Sequence, residues 1–215
     1  MKKASLGCVL ALAAATAFGT ADAAGARSAE AGARVQSTAT ATFAAGCFWC
    51  VEEAFDKVDG VLTTISGYTG GQTRNPTYAQ VSSGGTGHTE ALQVTYDPAR
   101  VSYDQLLQTF WRNVDPTDAG GQFCDRGNQY RSGIFFHTAG QQKAATASKA
   151  RAAAQLGTAI VTPIVEAGPF YAAEDEHQNY HARHSIKYRY YKWSCGRAQR
   201  LEKLWGAGAL PPSSR

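Results

Sequence analysis

One short segment, Gly46-Cys47-Phe48-Trp49-Cys50, joins a run that reads as a strand to a run that reads as a helix. Upstream, residues 39–45 (ATATFAA) alternate and carry no charge, so residues 40–45 are expected to form a strand. Downstream, Val51, Ala54, Phe55 and Val58 recur at helical spacing and predict a helix beginning near Phe48. Glu52 and Glu53 fall in its expected first turn, where acidic side chains suit the helix dipole. Cys47 is therefore expected at a helix N-terminus, where free backbone N–H groups stabilise an anion and lower a thiol pKa. Phe48 and Trp49 set an apolar wall beside it. This is the equipment of a sulfur nucleophile for a soft, apolar substrate. The plainer alternative is a buried structural cysteine or half of a disulfide.

The patterns that follow place this junction in a layered domain. Residues 61–67 (VLTTISG) and 89–96 (TEALQVTY) read as strands. Ser102 with Gln105 three residues on is a capping-box signature, and it predicts a helix over residues 101–113. A strand at 131–137, an Ala-rich helix at 141–156 and a closing segment at 160–166 complete the regular core. That order predicts an α/β (α+β) fold, a two-layer sandwich around a mixed β-sheet.

The ends read differently. Met1-Lys2-Lys3, the apolar run from Leu6 to Phe18 and the small-x-small site Ala21-Asp22-Ala23 make residues 1–23 an expected cleavable signal peptide. The run is too short to span a bilayer, so export without a membrane anchor is expected, to a periplasm in the first instance. Cys8 has almost no apolar stretch before it, which makes a poor lipoprotein signal. Residues 24–39 read as a flexible linker, 40–205 as the catalytic domain and 206–215 as a flexible tail. The formal net charge of +4 is mild and implies no nucleic-acid partner. A domain of this size buries a sound core without disulfide staples, and a monomer is expected.

Export leaves Cys47, Cys50, Cys124 and Cys195. A bridge between Cys47 and Cys50 closes a tiny loop and restrains little chain entropy, so Cys-x-x-Cys reads as a redox pair or half a metal site. Structural zinc would need Cys124 and Cys195, or histidines, and no second Cys-x-x-Cys exists. His177, His181 and His184 have ligand spacing, with Glu174 and Glu176 nearby, but packing or surface placement is the simpler reading. No metal or cofactor is expected. Residues 183–200, rich in Tyr, Arg and Lys, read as a solvated tail that wraps the domain. Glycine-rich loops and their flanks deliver four hydrogen-bonding side chains: Tyr68, Glu90, Asp125 and Tyr130.

With those loops in view, the chain resembles the methionine sulfoxide reductase A family over roughly Thr40 to Trp205. The resemblance rests on Gly46-Cys47-Phe48-Trp49, Gly67-Tyr68-Thr69-Gly70-Gly71 and Gly87-His88-Thr89-Glu90. It continues in Asp125-Arg126-Gly127-Asn128-Gln129-Tyr130-Arg131-Ser132 and His177-Gln178-Asn179-Tyr180. It implies a two-layer sandwich with long coiled termini, and reduction of the S-epimer of methionine sulfoxide, free or in proteins. It also implies roles: Cys47 as nucleophile, Glu90 as proton donor, Tyr68 and Tyr130 as hydrogen-bond donors to the oxygen. Asp125 would order the loop and position the substrate, and Phe48 and Trp49 would hold its methyl group. The resulting Cys47 sulfenic acid condenses with a second thiol, and a thioredoxin-like dithiol donor reduces the disulfide.

The family usually has glycine where this chain has Cys50, which leaves the resolving thiol open. Cys50 is local. Cys195 lies in Tyr190-Tyr191-Lys192-Trp193-Ser194-Cys195-Gly196, which resembles the tail cysteine of some members, and Cys124 is a third candidate. The expectation is that Cys50 captures the sulfenic acid and that Cys195, on a flexible tail, then exchanges to expose the bond. Two other classes stand beside this one. A thioredoxin-like disulfide oxidoreductase would use Cys47 and Cys50, although Phe-Trp between them is foreign to it. A non-catalytic domain would carry permanent bridges.

Overall fold

The computed structural model describes residues 37–206. The expected signal peptide, the linker up to residue 36 and the tail beyond Gly206 lie outside the described residues. The described chain begins with β1 (Ala39–Ala45), α1 (Phe48–Asp56), β2 (Val61–Thr69), α2 (Tyr78–Ser82), β3 (Thr89–Tyr96) and α3 (Tyr103–Trp111). Next come β4 (Gly121–Gln122), β5 (Asp125–Arg126), β6 (Ser132–Phe136), α4 (Ala139–Leu156), β7 (Ile164–Glu166) and β8 (Phe170–Ala172). Three helices follow: α5 (Tyr180–Arg183), α6 (Ser185–Ser194) and α7 (Arg197–Trp205).

Six strands form one sheet in the order β7-β6-β1-β3-β2-β8. Only β6 and β7 pair in parallel, so the sheet is mixed, as expected. β1 lies inside the sheet, with Phe43 opposite Leu92 on β3 and Ile134 on β6. Its alternation sorts side chains by face. Ala41, Phe43 and Ala45 enter the main core with Val51, Phe55, Leu106, Leu107, Phe110 and Ala145 from α1, α3 and α4. Ala44 points the other way, toward Ala91 and Phe135. The sandwich thus has helices over one sheet face, and the β1–α1 junction emerges at its edge.

Local signals set the helix starts. Ser102 and Gln105 make the expected reciprocal cap of α3, and Thr77 with Gln80 makes the same box at α2. The C-terminal segment departs from expectation. Residues 183–200 are no solvated tail: they carry all of α6 and the start of α7. Leu201 and Trp205 sit in the main core, and the buried Arg197 donates to the carbonyls of Ala45 and Asn113. Burying Leu201 alone stabilises by about 2 kcal/mol, so the segment is an integral part of the domain.

Candidate active site

Gly46 makes the turn into α1. Its φ is +79°, and a Cβ there would lie 2.6 Å from Cβ of Gln122. Gln122 cannot yield easily, because its amide accepts from Asp115 N–H and donates to the Asp115 carbonyl, at 2.7 and 2.8 Å. Cys47 is thereby fixed as the N-cap of α1, with its side chain buried.

The electrostatics at Cys47 differ from expectation. Three N–H groups at the start of α1 are occupied: Phe48 N–H donates to Glu90 Oε2 at 3.0 Å, and Cys50 and Val51 N–H donate to the Cys47 carbonyl. Glu52 and Glu53 fall in the second turn, not the first. Burial pushes the Cys47 thiol well above its ordinary pKa, and Cys50, Glu90 and Asp125 add to the rise. The lowered thiol belongs to Cys50. Its hydrogen bond from the Cys47 thiol brings it down to about 7 against the cost of burial, helped by Arg197, Lys192 and Tyr188.

A cavity of about 100 Å³ is lined by Cys47, Phe48, Trp49, Tyr78, Glu90, Asp125, Tyr130 and Tyr191. Burial drives Glu90 up to about 8, opposed by the Phe48 N–H and reinforced by the nearby Asp125 and Cys50. Its carboxyl is therefore largely protonated at neutral pH. Burial also raises the phenols, Tyr78 to about 12 and Tyr130 above its usual range, so both remain O–H donors. Asp125 accepts from Tyr191 Oη at 2.6 Å, and its pKa is raised by burial against that bond and Arg197.

Tyr68 is placed elsewhere. It lies in β2, fully buried, with its phenol donating to Glu174 Oε2 at 2.9 Å, and it does not line the cavity. Tyr78 occupies that corner, its backbone N–H bound to Glu174 Oε1 at 2.7 Å. Nothing local in the sequence marks Tyr78 as pointing inward.

Trp49 is clamped on several sides. Its ring stacks on Tyr180 at 3.7 Å and 7°, meets Tyr191 edge-on at 5.8 Å, and donates its indole N–H to His177 Nδ1 at 3.3 Å. His177 packs against Tyr78 at 4.2 Å, and burial lowers its pKa, which keeps it neutral. His181 faces away, toward Glu52 and Asp56 at 3.8 and 3.5 Å, so His177 and His181 pack separately despite their ligand-like spacing.

Cys124 and Cys195 are joined by a disulfide, with Cα atoms 4.9 Å apart and a sequence separation of 71. Cys195 therefore sits at the C-cap of α6, held by a bridge, rather than on a swinging tail. Cys124 is exposed. Cys50 packs with Tyr180 and Tyr188, on the α5–α6 side of α1. Among the described residues, the one cluster with metal-ligand geometry is Cys124, Asp125 and Cys195, and its two sulfurs are bonded to each other. A larger groove of about 1000 Å³, lined by residues of α1, α3 and α4, has no cysteine on its walls.

A buried thiol backed by a second thiol, with a protonated carboxyl and phenols converging on one small cavity, defines a thiol-dependent oxidoreductase. Residues 39–209 match the family model for peptide methionine sulfoxide reductase. The chain is 49% identical over 172 residues to the peptide methionine sulfoxide reductase MsrA of Bacillus licheniformis, covering 77% of this chain and 93% of the relative. It is 50% identical over 174 residues to MsrA 2 of Rhizobium meliloti, covering 81% and 87%. In structure it resembles methionine sulfoxide reductase A of Corynebacterium diphtheriae, with TM-score 0.67 and 36% identity over 69% of this chain and 76% of that one. Reduced Mxr1 of Saccharomyces cerevisiae gives TM-score 0.66 and 33% identity over 69% and 86%. The chain belongs to the peptide methionine sulfoxide reductase family.

Proposed function

We propose that this enzyme reduces the S-epimer of methionine sulfoxide, free or within proteins, by attack of Cys47 on the sulfoxide sulfur. The observation that carries this reading is that Cys47 and a protonated Glu90 line one cavity walled by Phe48 and Trp49. The substrate's methyl group lies against the two rings, and its oxygen faces Glu90, Tyr78 and Tyr130. As the sulfur of Cys47 attacks, Glu90 gives a proton to the oxygen, which transfers to Cys47 as a sulfenic acid and releases methionine. The proton lost by the thiol restores Glu90. Asp125 orders the wall through Tyr191.

Cys50 then condenses with the sulfenic acid, forming a disulfide and releasing water. The Cys124–Cys195 pair, when reduced, passes two electrons to that disulfide and itself becomes oxidised. A thioredoxin-like dithiol donor reduces the outer bridge. A reduced inner pair with a bonded outer pair corresponds to the state just after that exchange. The thioredoxin-like oxidoreductase reading is disfavoured by the burial of both inner thiols.

The test is dithiothreitol-dependent reduction of each sulfoxide epimer by the wild type and by Cys47→Ser. Turnover of the S-epimer alone, lost by about 10⁴-fold or more in the variant, is expected for removal of a nucleophile. Near-normal activity of Cys47→Ser overturns the reading. We also infer export to the periplasm, a reading supported by the pattern of residues 1–23. A periplasmic fraction should then yield a chain beginning at Ala24, and an intact Met1 there would contradict it.

A further inference from the structure

Arg197 opens α7 and is 3% exposed, so its guanidinium is a buried cation. A guanidinium stays charged, and burying a charge is costly unless a partner offsets it. Among the described residues Arg197 pairs with no carboxylate. One Nη donates to the carbonyls of Ala45 and Asn113, at 3.3 and 2.6 Å, and the guanidinium lies over the Phe123 ring at 4.3 Å. Carbonyl dipoles and a ring face stabilise the cation in part, but they supply no opposite charge. Ala45 is two residues before Cys47, and Arg197 is two residues after Cys195. The guanidinium thus ties the strand end before the inner pair to the helix start after the outer pair.

Cys50 is the sulfur that feels this charge. The hydrogen bond from the Cys47 thiol lowers Cys50 most, against burial, and Arg197 comes before Lys192 among the cations that help. Lys192 is itself paired with Glu53, which offsets its charge. Tyr180 of α5 and Tyr188 and Tyr191 of α6 complete the surroundings of Cys50 as phenols, while His181 turns to Glu52 and Asp56. Of the two carboxyls on the cavity side, Glu90 is raised first by burial and also by Cys50. At Asp125 burial again comes first, and Tyr191 and then Arg197 oppose it.

We propose that Arg197 is a positioning residue of the resolving step: its buried, carboxylate-free guanidinium holds Cys50 as the thiolate that captures the Cys47 sulfenic acid. This rests on the proposed function, in which Cys50 is the resolving thiol. The thiolate, not the thiol, is the nucleophile, and a neighbouring arginine favours it. The Cys50 sulfur attacks the sulfur of the sulfenic acid and the S–O bond breaks. The oxygen leaves as water, with its own hydrogen and the proton that Cys50 gave up. Cys50 is oxidised and the sulfenic sulfur reduced to the shared disulfide level, so no outside reductant enters.

The test compares the full-length wild type with Arg197→Gln, which keeps an N–H donor for the carbonyls and removes the charge, and Arg197→Lys, which keeps the charge. Each is mixed with one equivalent of methionine-S-sulfoxide, and the Cys47 sulfenic acid is trapped over time and counted by mass spectrometry. The expected result is a sulfenic acid that lives about tenfold longer in Arg197→Gln at pH 7, the effect of about one unit in the Cys50 pKa. The gap to wild type closes by pH 9, and Arg197→Lys stays within about threefold of wild type at both pH values. The second readout is the ultraviolet titration of the Cys50 thiolate in a Cys8→Ser/Cys47→Ser background with the outer bridge intact, where Cys50 is the one free cysteine. Arg197→Gln should raise its midpoint by about one unit, and Arg197→Lys by less. Equal lifetimes and equal midpoints in the two variants overturn the proposal and leave Arg197 a packing residue, whatever both do to the melting temperature. A midpoint that Arg197→Gln does not move overturns it as well. A wild type that never bonds Cys47 to Cys50 overturns the proposed resolving step instead, and the midpoint, read without turnover, still decides whether Arg197 holds the thiolate.

Discussion

Cys47 and Cys50 are buried, hydrogen-bonded to each other and walled by aromatic rings, whereas Cys124 is exposed and bonded to Cys195 at the end of a surface helix. The two pairs share one domain but answer different demands. The inner pair needs a dry cavity, where a carboxyl stays protonated and a sulfenic acid meets a thiol before it meets bulk oxidant. In the proposed cycle the outer pair is the one an electron donor reaches. Helix α6 links them: its inner face packs on Cys50 through Tyr188 and its last turn leads to Cys195. Separating the two pairs lets one be dry and the other open.

Changes at the inner pair should cost most. Glu90→Gln keeps the shape and removes the transferable proton, so the sulfoxide-reduction step should slow by about 10²–10⁴-fold in single-turnover experiments. In the wild type that step should decline above about pH 8 as Glu90 loses its proton, and this limb should vanish in the variant. A loss under about threefold would assign the proton to another group.

The two tyrosines assigned differently by sequence and structure give the next contrast. Tyr78→Phe should slow the same step by about tenfold, the loss of about 1.4 kcal/mol from one hydrogen bond in the transition state. Tyr68→Phe removes a buried bond to Glu174 instead, so it should lower stability by about 1 kcal/mol and leave the chemical rate within about twofold. A reversal of these effects, read by single turnover and thermal melting, would restore Tyr68 to the reaction.

The smallest expected effect lies in the clamp between α1 and α5. His181 faces Glu52, Asp56 and Glu53 and packs edge-on against Tyr188, and its pKa is raised by Glu52 first, then Asp56 and Glu53, against burial. A histidine with a raised folded pKa contributes stability that is complete below about pH 6.5 and is lost as pH rises through the folded value. His181→Gln should therefore cost up to about 1 kcal/mol at pH 6 and little at pH 9. Equal costs at both pH values would remove the charge from the account.

The regular core was legible because its signals are local. β3 matches the expected strand at both ends, and the Ser102–Gln105 box marks the start of α3. The failures are equally physical. α6 reads as a tail because its largest apolar residues, Ile186, Tyr190 and Trp193, face outward, while the buried side carries Tyr188, Tyr191 and Lys192. Tyr78 lies only 12 residues from Glu90 in the chain, yet its approach to Glu90 depends on the Glu174 contact made by a distant loop. The Cys124–Cys195 pairing spans 71 residues and leaves no trace in spacing. Cys47's raised pKa follows first from burial, then from Cys50 and the nearby Glu90 and Asp125, and the motif reveals neither the burial nor the two carboxyls.

The division of labour between the pairs is tested most directly by one turnover of a Cys124→Ser/Cys195→Ser variant, reduced beforehand, mixed with one equivalent of methionine-S-sulfoxide and mapped by peptide mass spectrometry. The account predicts one equivalent of methionine, a Cys47–Cys50 disulfide and no further turnover with thioredoxin, while dithiothreitol restores cycling. Free Cys50 beside a persistent Cys47 sulfenic acid would contradict it and make the outer pair the resolving thiol.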